Sequence, residues 1–319
     1  MIDVIVTRKK REAEGISSFE FARTDGAALA PFSAGSHIDV HLPSGLVRQY
    51  SLCNHPDEQF RYQIGVLLDP ASRGGSEEMH ALEEGSAVQI SEPRNLFPLA
   101  HGARRSLLFA GGIGVTPILC MAERLAQISA AFQLHYCGRS EGSVAFIDRI
   151  RGSAFADWAH LHFDDQPQTR LDATQALSGY QEGDHLYVCG PGGFMAFILE
   201  QARLAGWPEE ALHREYFAAQ PQPQALAQTD DGSFEVMLAS SGRCLVVPAD
   251  RTVAEVLLEE GIDLPLSCEA GICGTCLTRV LEGEPDHRDM FMTPAEQALN
   301  DQFTPCCSRS KSPRLVLDL

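Results

Sequence analysis

The sequence predicts a multidomain protein: an antiparallel β-barrel, then an α/β domain on a parallel sheet, then a small α+β domain of β-grasp type. Three observations predict it. Residues 1–102 carry short alternating strand patterns broken by frequent turn signals, as closed antiparallel sheets do. Residues 103–219 switch to continuous apolar strand patterns that alternate with helical ones, as buried parallel sheets do. Residues 231–319 open on a hairpin and end in a cysteine-rich segment. Between the last two lies a polar, Pro/Gln-rich stretch, residues 220–230, without apolar periodicity; it reads as an extended linker.

Within the first domain, strands are expected over 2–6, 19–21, 37–42, 62–68 and 87–90. Pro43-Ser44-Gly45, Asp69-Pro70, Arg73-Gly74-Gly75 and Glu84-Gly85 supply the turns. The second domain opens on the apolar run Leu107-Leu108-Phe109-Ala110, followed by Gly111-Gly112-Ile113-Gly114. A helix is expected next, with Thr116 as N-cap, Pro117 at the first helical position, and one stripe of Ile118, Met121, Leu125 and Ile128. Strands over 132–137 and 185–189 and a helix over 192–205 complete the pattern. In the third domain strands 234–239 and 244–247 form the hairpin. Thr252-Val253-Ala254-Glu255 is a capping box opening a helix that Gly261 ends.

Composition narrows the function. Asp and Glu number 43 against 25 Lys and Arg, a net charge of −18, which argues against nucleic acid and anionic membranes as partners. No secretory leader and no transmembrane run is visible, so a cytoplasmic protein is expected.

Cys268, Cys273 and Cys276, spaced x4 and x2, with Cys306 thirty residues later, show the plant-type [2Fe–2S] spacing. Four thiolates must converge on two irons, and a tight loop supplies three of them. Gly271, Gly274 and Thr275 let backbone N–H groups face the sulfurs. A four-cysteine zinc site would show two C-x2-C knuckles, and only one is present. Cys307 competes with Cys306 for the fourth position. Two strand-to-helix Gly-rich turns point to a dinucleotide: Gly111, Gly112 and Thr116 in the first, and Cys189, Gly190, Pro191, Phe194 and Met195 in the second. Arg139, just past a strand, suits a 2′-phosphate and leaves NADPH open beside NADH.

Arg48-Gln49-Tyr50-Ser51-Leu52 and Ser72-Arg73-Gly74-Gly75-Ser76 complete the motif set. With Glu92 to Phe97, Glu215-Tyr216-Phe217, Asp286-His287-Arg288-Asp289 and the terminal Leu315 to Leu319, they make the chain resemble the ferredoxin–NADP reductase superfamily. The closer likeness is to its phthalate dioxygenase reductase and vanillate O-demethylase reductase group. The resemblance covers essentially the whole chain and implies FMN, a [2Fe–2S] cluster and NADH.

It implies further that Arg48, Arg73, Gly74, Gly75 and Ser76 hold the flavin phosphate. Tyr50, Ser51 and Leu52 would line the ring and Gly65 and Val66 its edge. Phe217 would stack on the ring, Cys189 would stand near the hydride-transfer position, and Cys306 would be the fourth iron ligand. The implied activity is that of a reductase component. A hydride from NAD(P)H reaches the flavin, and single electrons pass through the cluster to a terminal oxygenase of Rieske type acting on an aromatic or similar small substrate. The other readings are an electron-carrying or redox-sensing protein, or a reductase serving a different terminal hydroxylase.

Overall fold

The computed structural model describes residues 1–70, 72, 74–217 and 232–319. The linker expected over 220–230 and the candidate phosphate ligand Arg73 lie outside the described residues. The chain divides into two compact units, Met1–Tyr216 and Phe217–Leu319.

The first unit begins with strands β1 (Ile2–Ala13), β2 (Ile16–Arg23), β3 (Ser36–His41), β4 (Val47–Ser51) and β5 (Tyr62–Leu67). Helix α1 (Gly75–Ala81), β6 (Ala87–Ile90) and the short β7 (Arg94–Asn95) follow. The sheet order is β4-β3-β6-β1-β2-β5, with β7 on β3. All these pairings are antiparallel. A bridge from Leu52 to Ile64 joins the two ends and closes the cylinder. Alternation puts Val4, Phe19, Phe21, Ile38, Val40, Tyr62 and Ile64 inside, where each buried large side chain is worth about 2 kcal/mol.

The same unit continues with β8 (Arg105–Gly111), α2 (Val115–Gln127), β9 (Phe132–Gly138), α3 (Ile147–Arg151) and β10 (Ala159–Phe163). Then come α4 (Ala173–Ala176), β11 (Asp184–Cys189), α5 (Gly192–Leu204) and β12 (Leu212–Glu215). All five strands are parallel, in the order β10-β9-β8-β11-β12. The central β8 is buried on both faces. Leu108 and Ala110 join the core beneath α2, and Leu107 and Phe109 the one beneath α5. The order reverses between β8 and β11, so the loops after these two strands flank the topological switch point.

Two expectations change. The helix starts at Val115, after a 3-10 turn over Gly112–Gly114, and Thr116 is not its cap. The Thr116 hydroxyl instead donates to the Ile113 carbonyl. Ile128 lies past the helix end and is exposed, so the apolar stripe stops at Leu125.

The second unit holds β13 (Phe234–Leu238), β14 (Cys244–Val247), α6 (Val253–Glu259), β15 (Thr278–Glu282) and β16 (Pro285–Asp286). It ends with α7 (Pro294–Gln297), β17 (Gln302–Phe303), β18 (Arg309–Ser310) and β19 (Arg314–Leu317). Its main sheet runs β14-β13-β19-β15-β17. Strand β19 lies parallel to β13, while β14, β15 and β17 pair antiparallel. The capping box forms as expected: Thr252 accepts from the Glu255 N–H, and Glu255 from the Thr252 N–H. Val253, Val256 and Leu257 of this helix enter the core formed by Phe234, Val236 and Leu317.

Candidate functional site

In the first unit the two Gly-rich loops are packed on each other. A Cβ on Gly114 would stand 2.3 Å from the Cys189 carbonyl oxygen. One on Gly190 would stand 2.9 Å from Gly111 Cα, and one on Gly111 2.7 Å from the Phe194 ring. Most of these glycines are therefore required by the contact between the loops. Gly112, at φ +52, and Gly193, in the first turn of α5, face open space. Gly190 lies between Cys189, the last residue of β11, and Pro191, which caps α5. Met195 is buried in the core under α5 and presents nothing to a ligand.

The barrel contributes the opposite wall. Gly65 on β5 faces Thr116, Phe146 and Ile113; a Cβ there would come within 2.9 Å of the Thr116 methyl carbon. Ser51, at the end of β4, donates a hydrogen bond to Glu215 Oε2 at 3.1 Å. Glu215 ends β12, in register with Cys189 of the neighbouring β11. Ser51, Cys189 and Glu215 thus meet, although 138 and then 26 positions separate them in sequence.

Burial pushes the Glu215 carboxyl up to about 8, against the opposing effect of the Ser51 hydrogen bond. Burial first, and the Glu215 charge second, push the Cys189 thiol well above its ordinary range. Both shifts favour the uncharged forms of the two groups. Such groups can position a ring and donate hydrogen bonds, and the thiol is not set up as a nucleophile. Glu215 entered the sequence reading only as part of a motif. Its signal is a lone acid closing a short strand, which becomes meaningful once β12 is seen beside β11.

The other barrel residues divide by face. Leu52 and Val66 point into the barrel core, so only their backbone is offered outward. Tyr50 is half-buried against that core. Arg48 lies across the start of α1, where a Cβ on Gly75 would stand 2.4 Å from its Nε. Gly74 precedes α1 at φ +92, and no side chain caps the helix, so its first-turn N–H groups are available. A guanidinium over an uncapped helix start fits a phosphate monoester. Ser76 Oγ instead accepts from the Asp69 N–H at 3.1 Å. Arg139 is exposed at the end of β9. Phe217 is exposed and begins the second unit.

In the second unit the cysteine loop is held by left-handed residues: Glu269 at φ +51, Gly271 at +70 and Gly274 at +66. Backbone N–H groups of Ala270 and Thr275 donate to the sulfurs of Cys268 and Cys273, each at 3.4 Å. The thiols form one connected group: Cys273 interacts with Cys268, and Cys306 with Cys268 first, then with Cys276 and Cys307. Among the described residues no group of three or more His, Cys, Asp or Glu side chains is arranged to hold a metal ion. Four thiols drawn together in this way suit a two-iron cluster, whose irons take two thiolates each. Cys307 turns toward the Thr304 and Ser308 hydroxyls, at 3.3 and 3.8 Å.

The 2Fe-2S iron-sulfur cluster binding domain family matches residues 236–311. A vanillate O-demethylase oxidoreductase from Pseudomonas putida is 62% identical over 321 residues, covering 100% of both chains. The chain belongs to the phthalate dioxygenase reductase and vanillate O-demethylase reductase family. The solved structure of a phthalate dioxygenase reductase, described as a modular structure for electron transfer from pyridine nucleotides to [2Fe–2S], covers 98% of that chain and 100% of this one. Its TM-score is 0.74 at 37% identity. An intact type IV self-sufficient cytochrome P450 monooxygenase matches all of this chain with 41% of its own, at TM-score 0.88 and 36% identity. As a member of this reductase family, the chain is an oxidoreductase that passes electrons from NAD(P)H through a flavin and a [2Fe–2S] cluster to a terminal oxygenase. Among the described residues no helix is long and apolar enough to cross a membrane.

Proposed function

We propose that this chain is the cytoplasmic, NADH-dependent reductase of a Rieske-type aromatic O-demethylase of the vanillate class, with FMN as its flavin. The partner assignment rests on the full-length 62% identity to the Pseudomonas putida oxidoreductase. The hydride-transfer reading is carried by one observation: Ser51, Cys189 and Glu215 converge where the barrel meets the switch point of the parallel sheet.

In this reading residues 1–102 hold the flavin and residues 103–219 the nicotinamide. Arg48 and the first turn of α1 bind the single phosphate. Gly112, with no atom within 4 Å of where a Cβ would stand, leaves room for the pyrophosphate of the dinucleotide. Ser51 and Glu215 orient the flavin ring, and Cys189 sets the distance of the nicotinamide from it. Cys268, Cys273, Cys276 and Cys306 hold the cluster. When bound, the flavin turns a two-electron hydride into single-electron steps.

Anaerobic mixing of the holoprotein with NADH should bleach the flavin and then the cluster absorbance, and the cofactor released by heat should run as FMN. Addition of a vanillate oxygenase component should give vanillate-dependent NADH consumption. Release of FAD would overturn the phosphate-site argument. A strong preference for NADPH would assign Arg139 to a 2′-phosphate.

A further inference from the structure

Asp184 and Asp289 both have side chains without solvent exposure, and the fold treats them in opposite ways. Asp184 is held between two guanidinium groups, Arg104 at 2.5 Å and Arg105 at 2.8 Å. Among the described residues Asp289 has no guanidinium or ammonium partner. Its Oδ2 accepts the Met292 N–H at 2.7 Å. Its Oδ1 lacks a hydrogen-bond partner, as Asp184 Oδ1 does, but has no arginine beside it in the way that Arg104 stands beside Asp184. The facing group is His287, whose Nδ1 is 3.7 Å away, beyond hydrogen-bond length. Arg288, between them in sequence, sends Nε and a terminal nitrogen to Asp286. A buried carboxylate that faces only an imidazole beyond hydrogen-bond length carries a desolvation cost of several kcal/mol that this contact does little to offset. Such a cost persists where something else is gained.

The location says what. Asp289 packs on Gly271, in the loop between Cys268 and Cys273: a Cβ on Gly271 would stand 3.0 Å from Asp289 Cα and 2.4 Å from the Cys307 sulfur. The next residue, Met290, donates its N–H to the Gly271 carbonyl at 2.9 Å. The turn that Asp289 holds through Met292 is therefore clasped onto the cysteine loop.

We propose that Asp289 is a positioning residue for the iron–sulfur cluster whose buried negative charge also lowers the cluster's reduction potential. The inference rests on the cluster lying in the 268–276 loop. Reduction adds one electron, hence one negative charge, to the cluster. A fixed anion in a dry environment opposes that charge, and little salt screening reaches it. The carboxylate thus makes the reduced cluster a stronger donor to the next protein.

The test is an EPR-monitored redox titration of the full-length holoprotein at fixed pH. Asp289→Asn keeps shape and an acceptor for the Met292 N–H while removing the charge. It should shift the one-electron equilibrium about tenfold toward the reduced cluster, a rise of about 59 mV for one electron. Asp289→Glu, which keeps the charge, should leave the potential near wild type. The Asn shift should persist at high salt. Asp289→Ser is a second neutral variant in case Asn disturbs the turn. An unchanged potential in a cluster-replete neutral variant would overturn the proposal. So would loss of the cluster from both neutral variants, which would make the residue purely structural. Absence of a [2Fe–2S] signal from wild-type protein would instead sink the cluster assignment itself.

Discussion

The two sites of this chain are built in contrasting ways. The cysteine site takes three of its four thiols from a nine-residue loop, and its geometry is local, fixed by Glu269, Gly271 and Gly274 in left-handed conformations. The Ser51–Cys189–Glu215 site takes one residue from a barrel strand and two from neighbouring strands of a different sheet. The first can be written in sequence as a spacing. The second exists only after the barrel and the parallel sheet have folded as one unit. A multi-iron centre needs a fixed set of short bonds, which a tight loop supplies. A hydride-transfer pocket needs two planar groups brought face to face, which requires two walls.

The largest expected effect tests the local site. Cys306→Ser should abolish the cluster's EPR signal, while Cys307→Ser should retain it, since Cys307 faces the Thr304 and Ser308 hydroxyls. The reverse result would exchange their roles.

The next tests whether the assembled site depends on interlocked loops. Gly114 has ordinary helical backbone angles, so Gly114→Ala adds no backbone strain and only a clash with the Cys189 carbonyl. Unfolding of the first unit should become easier by about 2–4 kcal/mol in denaturant titration. A cost below about 1 kcal/mol would show that the loops can part.

Glu215 adds a pH-dependent effect. Its folded value of about 8 lies above its ordinary 4.5. The native state thus binds more protons than the unfolded state between these values. Stability should fall as pH rises from about 4.5 to 8 and level off above, by at most about 1.4 kcal/mol per pH unit. Glu215→Gln should flatten that slope in thermal melts taken across the range. An unaltered slope would mean that another group carries it. The smallest effect sharpens the contrast from the local side. Thr252→Ala should cost about 1 kcal/mol of second-unit stability by removing the capping box.

Legibility in the sequence followed the same divide. The x4-x2 cysteine spacing, the capping box and the continuous apolar β8 are short-range patterns, and the structure contains all three features. Strands β10 and β12 escaped the sequence reading because each is a short edge strand. Their polar residues, His160 and His162 in one and His213 and Arg214 in the other, break apolar periodicity. With β12 unseen, Glu215 had no neighbour to meet. Thr116 has the residue type of a cap, but the 3-10 turn over Gly112–Gly114 starts the helix two residues early, and the Thr116 hydroxyl turns back to Ile113. The glycines of the two nucleotide loops were read as room for phosphate. Several are instead room for each other, which no single loop reveals.

The barrel's closure has a consequence for how the protein survives before it is loaded. Its cylinder is sealed between β4 and β5 by one bridge, Leu52 to Ile64, and β4 is the terminal strand in the sheet order among the described residues. Exposed strand edges recruit other chains. In the proposed holoprotein Arg48 and Ser51 of that strand would hold the flavin. Flavin-free protein should then self-associate more readily than loaded protein, which light scattering of the two forms would check.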